Sequence, residues 1–365
     1  MRLPTPTSIS SVLRIGAKYL SSVPLSLLPL LPLHAQTTVP ASAPITLAAA
    51  GSSTLEAVLA RGYLNCGVSG GSFGFSLPDS QGEMRGLDAD ECRAVAAAIF
   101  GTPSAIKFVK VAPQQRLTAL QSGEIDLLYA NLTWTMTRET RQGVQYVGIH
   151  FYDGVGVMVK RGSKAKSLKQ LAGASICTQA GGSSDIVLQD YMRRNRIKFK
   201  PVVISEVEEV KKAFIAGRCD ALVNDASALA SFRTAQGPNA GNYIILPDLL
   251  SNDPLGGAVR KGDARWYDVA RWTHFALVLA EQYGVTSENA DQMLNSDSPD
   301  VRRLLGVEGD IGKSLGLSNQ WALNAIKGVG NFAQVWARDI DPLGIPRGYN
   351  RLWRDGGLLY APPMR

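Results

Sequence analysis

The 365-residue sequence predicts an α/β protein whose mainly parallel strands are divided between two lobes of similar build. From Gly62 to Gly257, short apolar runs alternate with segments of helical period, the pattern of strand–helix–strand units. The chain also echoes itself. Leu120-Gln121-Ser122-Gly123-Glu124-Ile125-Asp126 and Phe214-Ile215-Ala216-Gly217-Arg218-Cys219-Asp220 each close a helix at a glycine suited to a left-handed cap and open a strand at an aspartate. Each strand then runs into a polar turn, Asn131-Leu132-Thr133 in one case and Asn224-Asp225 in the other. Ligands of open α/β sheets sit beyond the carboxyl ends of strands, so two lobes built alike are expected to share a cleft.

The N-terminus reads as an export signal. Arg2, Arg14 and Lys18 precede an apolar run, Val23–Leu33, and small residues follow as far as Ala48-Ala49-Ala50-Gly51. Residues 1–50 are expected to form a signal peptide and linker, cleaved after Ala35 or after Ala50. The prolines and shortness of the run argue against a membrane span. No cysteine follows either cleavage point, which argues against a lipid anchor. The expected location is therefore soluble in the periplasm. Losing those three cations lowers the formal net charge from +7 to +4, and the remaining charges are interspersed, without a nucleic-acid-binding patch. All four cysteines lie in the mature chain, and an even count in an exported protein favours disulfides. Cys66–Cys92 and Cys177–Cys219 join neighbouring elements within each half; four buried thiols are the alternative. Neither C-x-x-C nor Cys–His spacing occurs, so no metal and no cofactor is expected.

The strand-like runs, in order, are Leu64–Val68, Ile106–Val111, Ile125–Tyr129, Val155–Val159, Ser175–Thr178, Val202–Ile204, Ala221–Val223 and Tyr243–Leu246. Asp88-Ala89-Asp90 reads as the cap of a helix that buries Cys92, Val95, Ala96 and Ile99 and stops at Gly101. A second helix covers Gln114 to Ser122, with Leu117 and Leu120 inward. A long helix over Trp266–Tyr283 carries Trp272, Phe275, Ala276 and Leu279 at helical spacing, read as core packing. The Gly- and Pro-rich tail from Leu343 to Arg365 is expected to wrap a lobe surface.

GVSGGSFGFS, residues 67–76, matches G-x-S-x-G with Ser72 at its centre. A nucleophile elbow needs a strand before the serine and a helix at once after it. The strand is present, but turn formers and Pro78 follow, and nothing places His150 or His274 beside Ser72. The stretch reads instead as a glycine-rich loop.

Three further segments suit a zwitterion. Asn131-Leu132-Thr133-Trp134-Thr135-Met136-Thr137-Arg138 offers hydroxyls at a strand end and a guanidinium able to grip a carboxylate, although Arg138 can equally pair with Glu139 or Glu124. Gln179–Ser184 leads into a helix starting near Ser183, whose N-terminus favours an anion; an ordinary serine cap fits that segment as well. Asp225, at a strand end, can hold an ammonium or cap the helix Ala226–Phe232.

Taken together, GLDADECRAVAAAIFG, RLTALQSGEIDLL, NLTWTMTRET, GRCDALVNDAS, DPLGGAVRKGD and GLLYAPPMR resemble the polar amino-acid substrate-binding proteins of ABC importers, in their general L-amino-acid-binding branch. The resemblance covers essentially the whole mature chain. It implies a type II periplasmic-binding-protein fold with two hinge strands: lobe 1 over 51–157 and 255–330, lobe 2 over 158–254, and a C-terminal helical extension, 331–365, on lobe 1. It implies that Thr133 and Arg138, within a Thr133/Thr135/Arg138 pattern, hold the ligand α-carboxylate with Ser183. Asp225 takes the α-ammonium with Asn131 nearby, Ser69 senses the side chain, and Phe73, Phe75 and Trp134 form pocket walls. The implied ligand is an L-amino acid, and the implied partner of this monomer is an ABC permease with its ATPase. Branch members usually carry S-R-N-T-T-W where this chain has Tyr129-Ala130-Asn131-Leu132-Thr133-Trp134, and Leu87 and Glu91 replace common aromatics. The cation missing at Ala130 is expected to weaken any preference for acidic ligands. A dehydratase-like enzyme on the same fold and a sensing module for a receptor are the alternatives.

Overall fold

The computed structural model describes residues 53–365; the expected signal peptide and linker, with His34, lie outside the described residues. The chain begins with α1 (Thr54–Arg61), β1 (Leu64–Val68), a short hairpin of β2 (Leu77–Pro78) and β3 (Met84–Arg85), α2 (Leu87–Phe100) and β4 (Ile106–Lys110). It continues through α3 (Arg116–Ser122), β5 (Leu127–Leu128), α4 (Met136–Arg141), β6 (Val144–Tyr146), β7 (Phe151–Asp153) and β8 (Val155–Lys160). Next come β9 (Ser175–Gln179), α5 (Ser183–Arg194), β10 (Lys200–Ile204), α6 (Val207–Ile215), β11 (Ala221–Asp225), α7 (Ala226–Thr234) and β12 (Tyr243–Ile245). The chain returns through β13 (Asp253–Leu255) and β14 (Ala258–Arg260) to the long helix α8 (Ala264–Tyr283) and shorter helices ending at Asp339.

The strands form two five-stranded sheets, ordered β4-β1-β5-β14-β6 and β10-β9-β11-β8-β12. In each, three strands run parallel: β1 between β4 and β5, and β9 between β10 and β11. In each sheet one strand, β14 or β8, runs antiparallel to these, because it enters directly from a connecting strand rather than through a crossover helix, and the edge strands β6 and β12 pair antiparallel with it in turn. The sheets are thus less uniformly parallel than the apolar runs suggest. Strands β7 and β13 pair antiparallel between the lobes, with Asp153 opposite Asp253 and Phe151 opposite Leu255. The expected division at residue 157 falls inside β8, whose whole length belongs to the second sheet. The chain therefore crosses earlier, at Phe151–Asp153.

Each sheet has apolar residues on both faces, as crossover helices require. Val155, Val157, Ile176, Leu188 and Val223 pack on one side of the second sheet, and Met158, Cys177, Phe214 and Phe232 on the other. The larger core joins α2 and α8 to the first sheet through Leu64, Ala94, Trp266 and Leu277, and the tail adds Leu352, Leu359 and Met364. The tail has only short 3₁₀ turns and is fastened by Asn350, whose side chain bonds both backbone polar groups of Tyr152 in β7. Helix α2 starts one turn earlier than its acids suggested: Gly86 is the N-cap and no side chain caps it. Asp88 and Asp90 lie inside the first turn, where acids suit the helix dipole.

Both expected disulfides are formed. Cys66 of β1 meets Cys92 of α2 and Cys177 of β9 meets Cys219, with Cα–Cα distances of 6.2 and 5.6 Å. The loops they close span 26 and 42 residues, for which chain entropy implies roughly 3–4 kcal/mol each. Replacing either pair by alanines is expected to lower the denaturation midpoint accordingly, and reductant should then lower it further by less than it does in the unsubstituted protein, because one disulfide remains.

Candidate ligand-binding cleft

A cavity of about 390 Å³ lies between the lobes, and its walls are strand ends. From lobe 1, β1 leads into Ser69–Ser72, β4 ends at Lys110, and β5 leads into Ala130 and Asn131. From lobe 2, β9 leads into Gln179 and Gly182–Ser184, β10 into Glu206, and β11 ends at Asn224 and Asp225. All six strands belong to the parallel portions of their sheets, whose carboxyl ends face the cleft.

The lobes touch across this cleft. Thr133 Oγ1 and Ser183 Oγ are 3.0 Å apart, Ser231 Oγ donates to Phe73 O at 2.7 Å, and Lys211 Nζ donates to Gly71 O at 3.1 Å. The described arrangement is therefore a closed one.

Asp225 is buried at the end of β11, where the chain passes directly into α7. Its carboxylate does not cap that helix; Oδ1 accepts a hydrogen bond from Ser184 Oγ at 3.1 Å. Burial, and then the charge of Asp253, push its carboxyl up to about 6. Behind it, on β7, Asp153 accepts from Ser227 Oγ and from Gly154 N. Its carboxyl is also raised, by burial first and by Asp225 second.

Asn131 has a positive φ of 48°, which asparagine tolerates better than most residues. Its N–H donates to Asp88 Oδ2 at 3.0 Å, and Asp88 Oδ1 lies 2.8 Å from His150 Nε2. Asp88 thus joins the cleft loop to the segment leading into β7. Both polar atoms of the Asn131 side chain are buried without a partner at the cavity wall. Facing them, α5 begins at Gly182 with no side chain as cap, leaving a bare helix N-terminus.

Ser69, Asn131, Ser183 and Asp225 therefore meet at one cavity. Thr133 lies just beside it, buried against Ser183. Arg138 does not line it. Its Nη1 donates to Thr133 O at 2.7 Å, and Tyr146 Oη donates to the same oxygen at 2.7 Å. Thr135 caps α4 by accepting from Arg138 N, which orients that arginine. The expected aromatic walls are absent from the cavity lining. Phe75 is fully buried in the core, edge-on to Phe151 at 5.2 Å. Trp134 stacks on Tyr146 at 4.9 Å and donates to Glu139. Phe73 packs against the core and meets lobe 2 through its carbonyl.

Ser72 closes a tight turn with Ser76, and its backbone N–H bonds Ser76 O at 3.1 Å. His150 is bonded to Asp88, and His274 Nδ1 lies 2.9 Å from Glu91 Oε1. The loop is a wall of the cavity, without the elbow's strand–serine–helix geometry.

One wall residue has no counterpart in the expected set. Arg116, at the start of α3, is buried and lines the cavity; its Nη1 donates to Ala130 O at 2.7 Å and its Nε has no partner. An arginine in the first turn of a helix opposes the dipole, and that mismatch was the available sequence signal. Gln179, Glu206 and Lys110 also reach the wall, and ordinary surface polarity hides them in the sequence.

Residues 64–274 match the family described as bacterial extracellular solute-binding proteins, family 3. The general L-amino acid-binding periplasmic protein AapJ of Rhizobium johnstonii is 47% identical over 87% of this chain and 94% of its own length. The glutamate/glutamine/aspartate/asparagine-binding protein BztA of Rhodobacter capsulatus is 44% identical over 89% of this chain and 97% of its own. A solved periplasmic binding protein from Brucella ovis, with glutathione bound, superposes with a TM-score of 0.84 at 47% identity, covering 86% of this chain and 100% of that one. With two sheet-bearing lobes around a shared cleft and relatives matched along nearly their whole length, the chain belongs to the bacterial extracellular solute-binding proteins, family 3.

Proposed function

We propose that this protein binds L-amino acids between its lobes in the periplasm and delivers them, as a monomer, to an ABC permease driven by its ATPase. The observation that carries this reading is the pairing of opposite requirements across one cavity. Asp225 is a buried carboxylate without a cation in hydrogen-bond contact among the described residues, and the α5 N-terminus opposite is uncapped. An ammonium answers the first and a carboxylate the second. Thr133 and Ser183 add hydroxyls to the carboxylate side. Arg138 acts from behind, holding Thr133 through its carbonyl. Asn131 completes the ammonium side, and Ser69 meets the ligand side chain.

No group in the cleft is asked to form a covalent bond or move a proton to a substrate atom, so the proposed role is binding without turnover. The relatives' names, which describe amino-acid-binding proteins, support the same reading. Strands β7 and β13 are the proposed hinge, and the cross-lobe contacts of Ser231 and Lys211 are proposed to break on opening.

Protein unfolded, freed of ligand and refolded should melt at a higher temperature with L-amino acids and at an unchanged one with their 2-oxo acid analogues, because a ligand of the native state stabilises by mass action. A shift with oxo acids alone overturns the ammonium role. Asp225→Asn is expected to cost about 3 kcal/mol, roughly a hundredfold in affinity, read by calorimetry.

The pH dependence follows from the raised carboxyl of Asp225. In the ligand-free protein, its contribution to stability is complete below the ordinary value of 3.8 and is lost as pH rises through about 6. Binding has the opposite sign, since the ammonium needs the ionised carboxylate. Affinity should be constant above about 6 and fall about tenfold per pH unit below it, and Asp225→Asn should flatten that slope.

A further inference from the structure

Asn131 offers the cavity a bare amide, both of whose polar atoms are buried without a partner among the described residues. Where that amide points is set by the backbone. At a φ of 48° the backbone lies in the left-handed region, which an L-residue occupies at a cost unless its surroundings hold it there. The hold comes from Asp88, whose Oδ2 accepts from Asn131 N at 3.0 Å. Asp88 is fully buried on α2, and among the described residues its ion-pair partner is His150. An ionised carboxylate can only accept, so His150 Nε2, 2.8 Å from Asp88 Oδ1, is the donor. The other ring nitrogen, Nδ1, is buried without a partner, so the hydrogen bonding of this ring serves Asp88 alone.

The ring is itself braced. Its backbone N–H donates to Leu255 O of β13 at 3.0 Å, and its edge contact with Tyr129 places the two ring centres 5.0 Å apart. Tyr129 Oη donates to Glu91 Oε2 at 3.3 Å, and Glu91 Oε1 lies 2.9 Å from His274 Nδ1. Burial opposes the ionised form of Glu91, but the charge and hydrogen bond of His274 outweigh it and hold its carboxyl below the ordinary 4.5. Two buried histidine–carboxylate pairs thus support the chain leaving β5, one under Tyr129 and one under Asn131. Without the His150 donor, Asp88 is a buried charge held by one backbone N–H, which favours its protonation and a weaker bond to Asn131.

Resting on the amino-acid reading above, we infer that His150 is a positioning residue for ligand binding, which acts through Asp88 to hold the Asn131 backbone so that its side-chain amide faces the ligand. His150 lies outside the cavity lining, so its effect on affinity must pass through Asn131.

A double-mutant cycle tests this, by calorimetric titration with L-glutamate, L-glutamine and L-leucine in turn. His150→Leu is expected to weaken binding about tenfold, whereas His150→Gln, which keeps a donor toward Asp88, should weaken it by less than about threefold. In the Asn131→Ala background, His150→Leu should cost less than about twofold more, although it lowers the melting temperature equally in both backgrounds. Losses that multiply in the double variant would overturn the inference by assigning His150 to the fold alone. Equal losses for Gln and Leu would overturn it by assigning the effect to ring packing. Amide hydrogen exchange at Asn131 reads the same hold without any ligand: protection should persist in His150→Gln and fall in His150→Leu. Unchanged protection in His150→Leu overturns the inference whatever the ligand. Failure of the unsubstituted protein to bind all three amino acids, with exchange as expected, would sink the amino-acid reading and leave the hold on Asn131 standing.

Discussion

The cleft depends on one constraint: charges removed from water must be neutralised, and here the two signs are held apart on facing walls. Asp225 sits on lobe 2 and Arg116 on lobe 1, each anchored by a neutral group, Ser184 Oγ and Ala130 O respectively. Neither reaches the other within ion-pair distance among the described residues. Closing the lobes without a ligand leaves both uncompensated. A ligand whose ammonium meets Asp225 and whose negative charge is held within the same closed cavity converts part of that penalty into binding energy, because charge-assisted hydrogen bonds are strongest where water is excluded. The fold supplies the separation, since each charge sits near a strand end of its own sheet.

The same constraint reaches the connecting strands. Asp153 and Asp253 stand opposite each other on β7 and β13, and both feel Asp225 or act on it. Asp88 ties Asn131 to His150, two polar steps from the cavity wall to the residue preceding β7. The cleft and the proposed hinge thus share carboxylates, so a change of charge at the ligand position is felt where the lobes pivot. Phe151, stacked on Trp336 at 5.4 Å and met edge-on by Phe75, gives β7 a rigid seat in lobe 1.

Much of this architecture was legible in the residues. The strand runs at Leu64–Val68 and Ser175–Thr178, the helix of Trp266–Tyr283 and both disulfides follow from periodicity, caps and cysteine position. The echo around Gly123 and Gly217 marked the two strands whose ends carry Asn131 and Asp225, because a left-handed glycine cap is a local event that sequence records well. What escaped depends on tertiary reach. Phe75 and Trp134 look like pocket aromatics in a cleft loop, but Gly86 brings α2 against the Phe75 backbone and directs that ring inward, while Tyr146 covers Trp134. Arg116 starts an unremarkable amphipathic helix, and only folding shows its guanidinium beneath Ala130. Direction, which short-range pattern does not encode, separated wall from core.

A crystal structure with bound L-glutamate tests the central claim most directly. The account predicts the ammonium nitrogen within hydrogen-bond distance of the Asp225 carboxylate and the α-carboxylate at the N-terminus of α5 beside Thr133 and Ser183. A ligand seated with its ammonium away from Asp225, or bound outside the interlobe cavity, would contradict it.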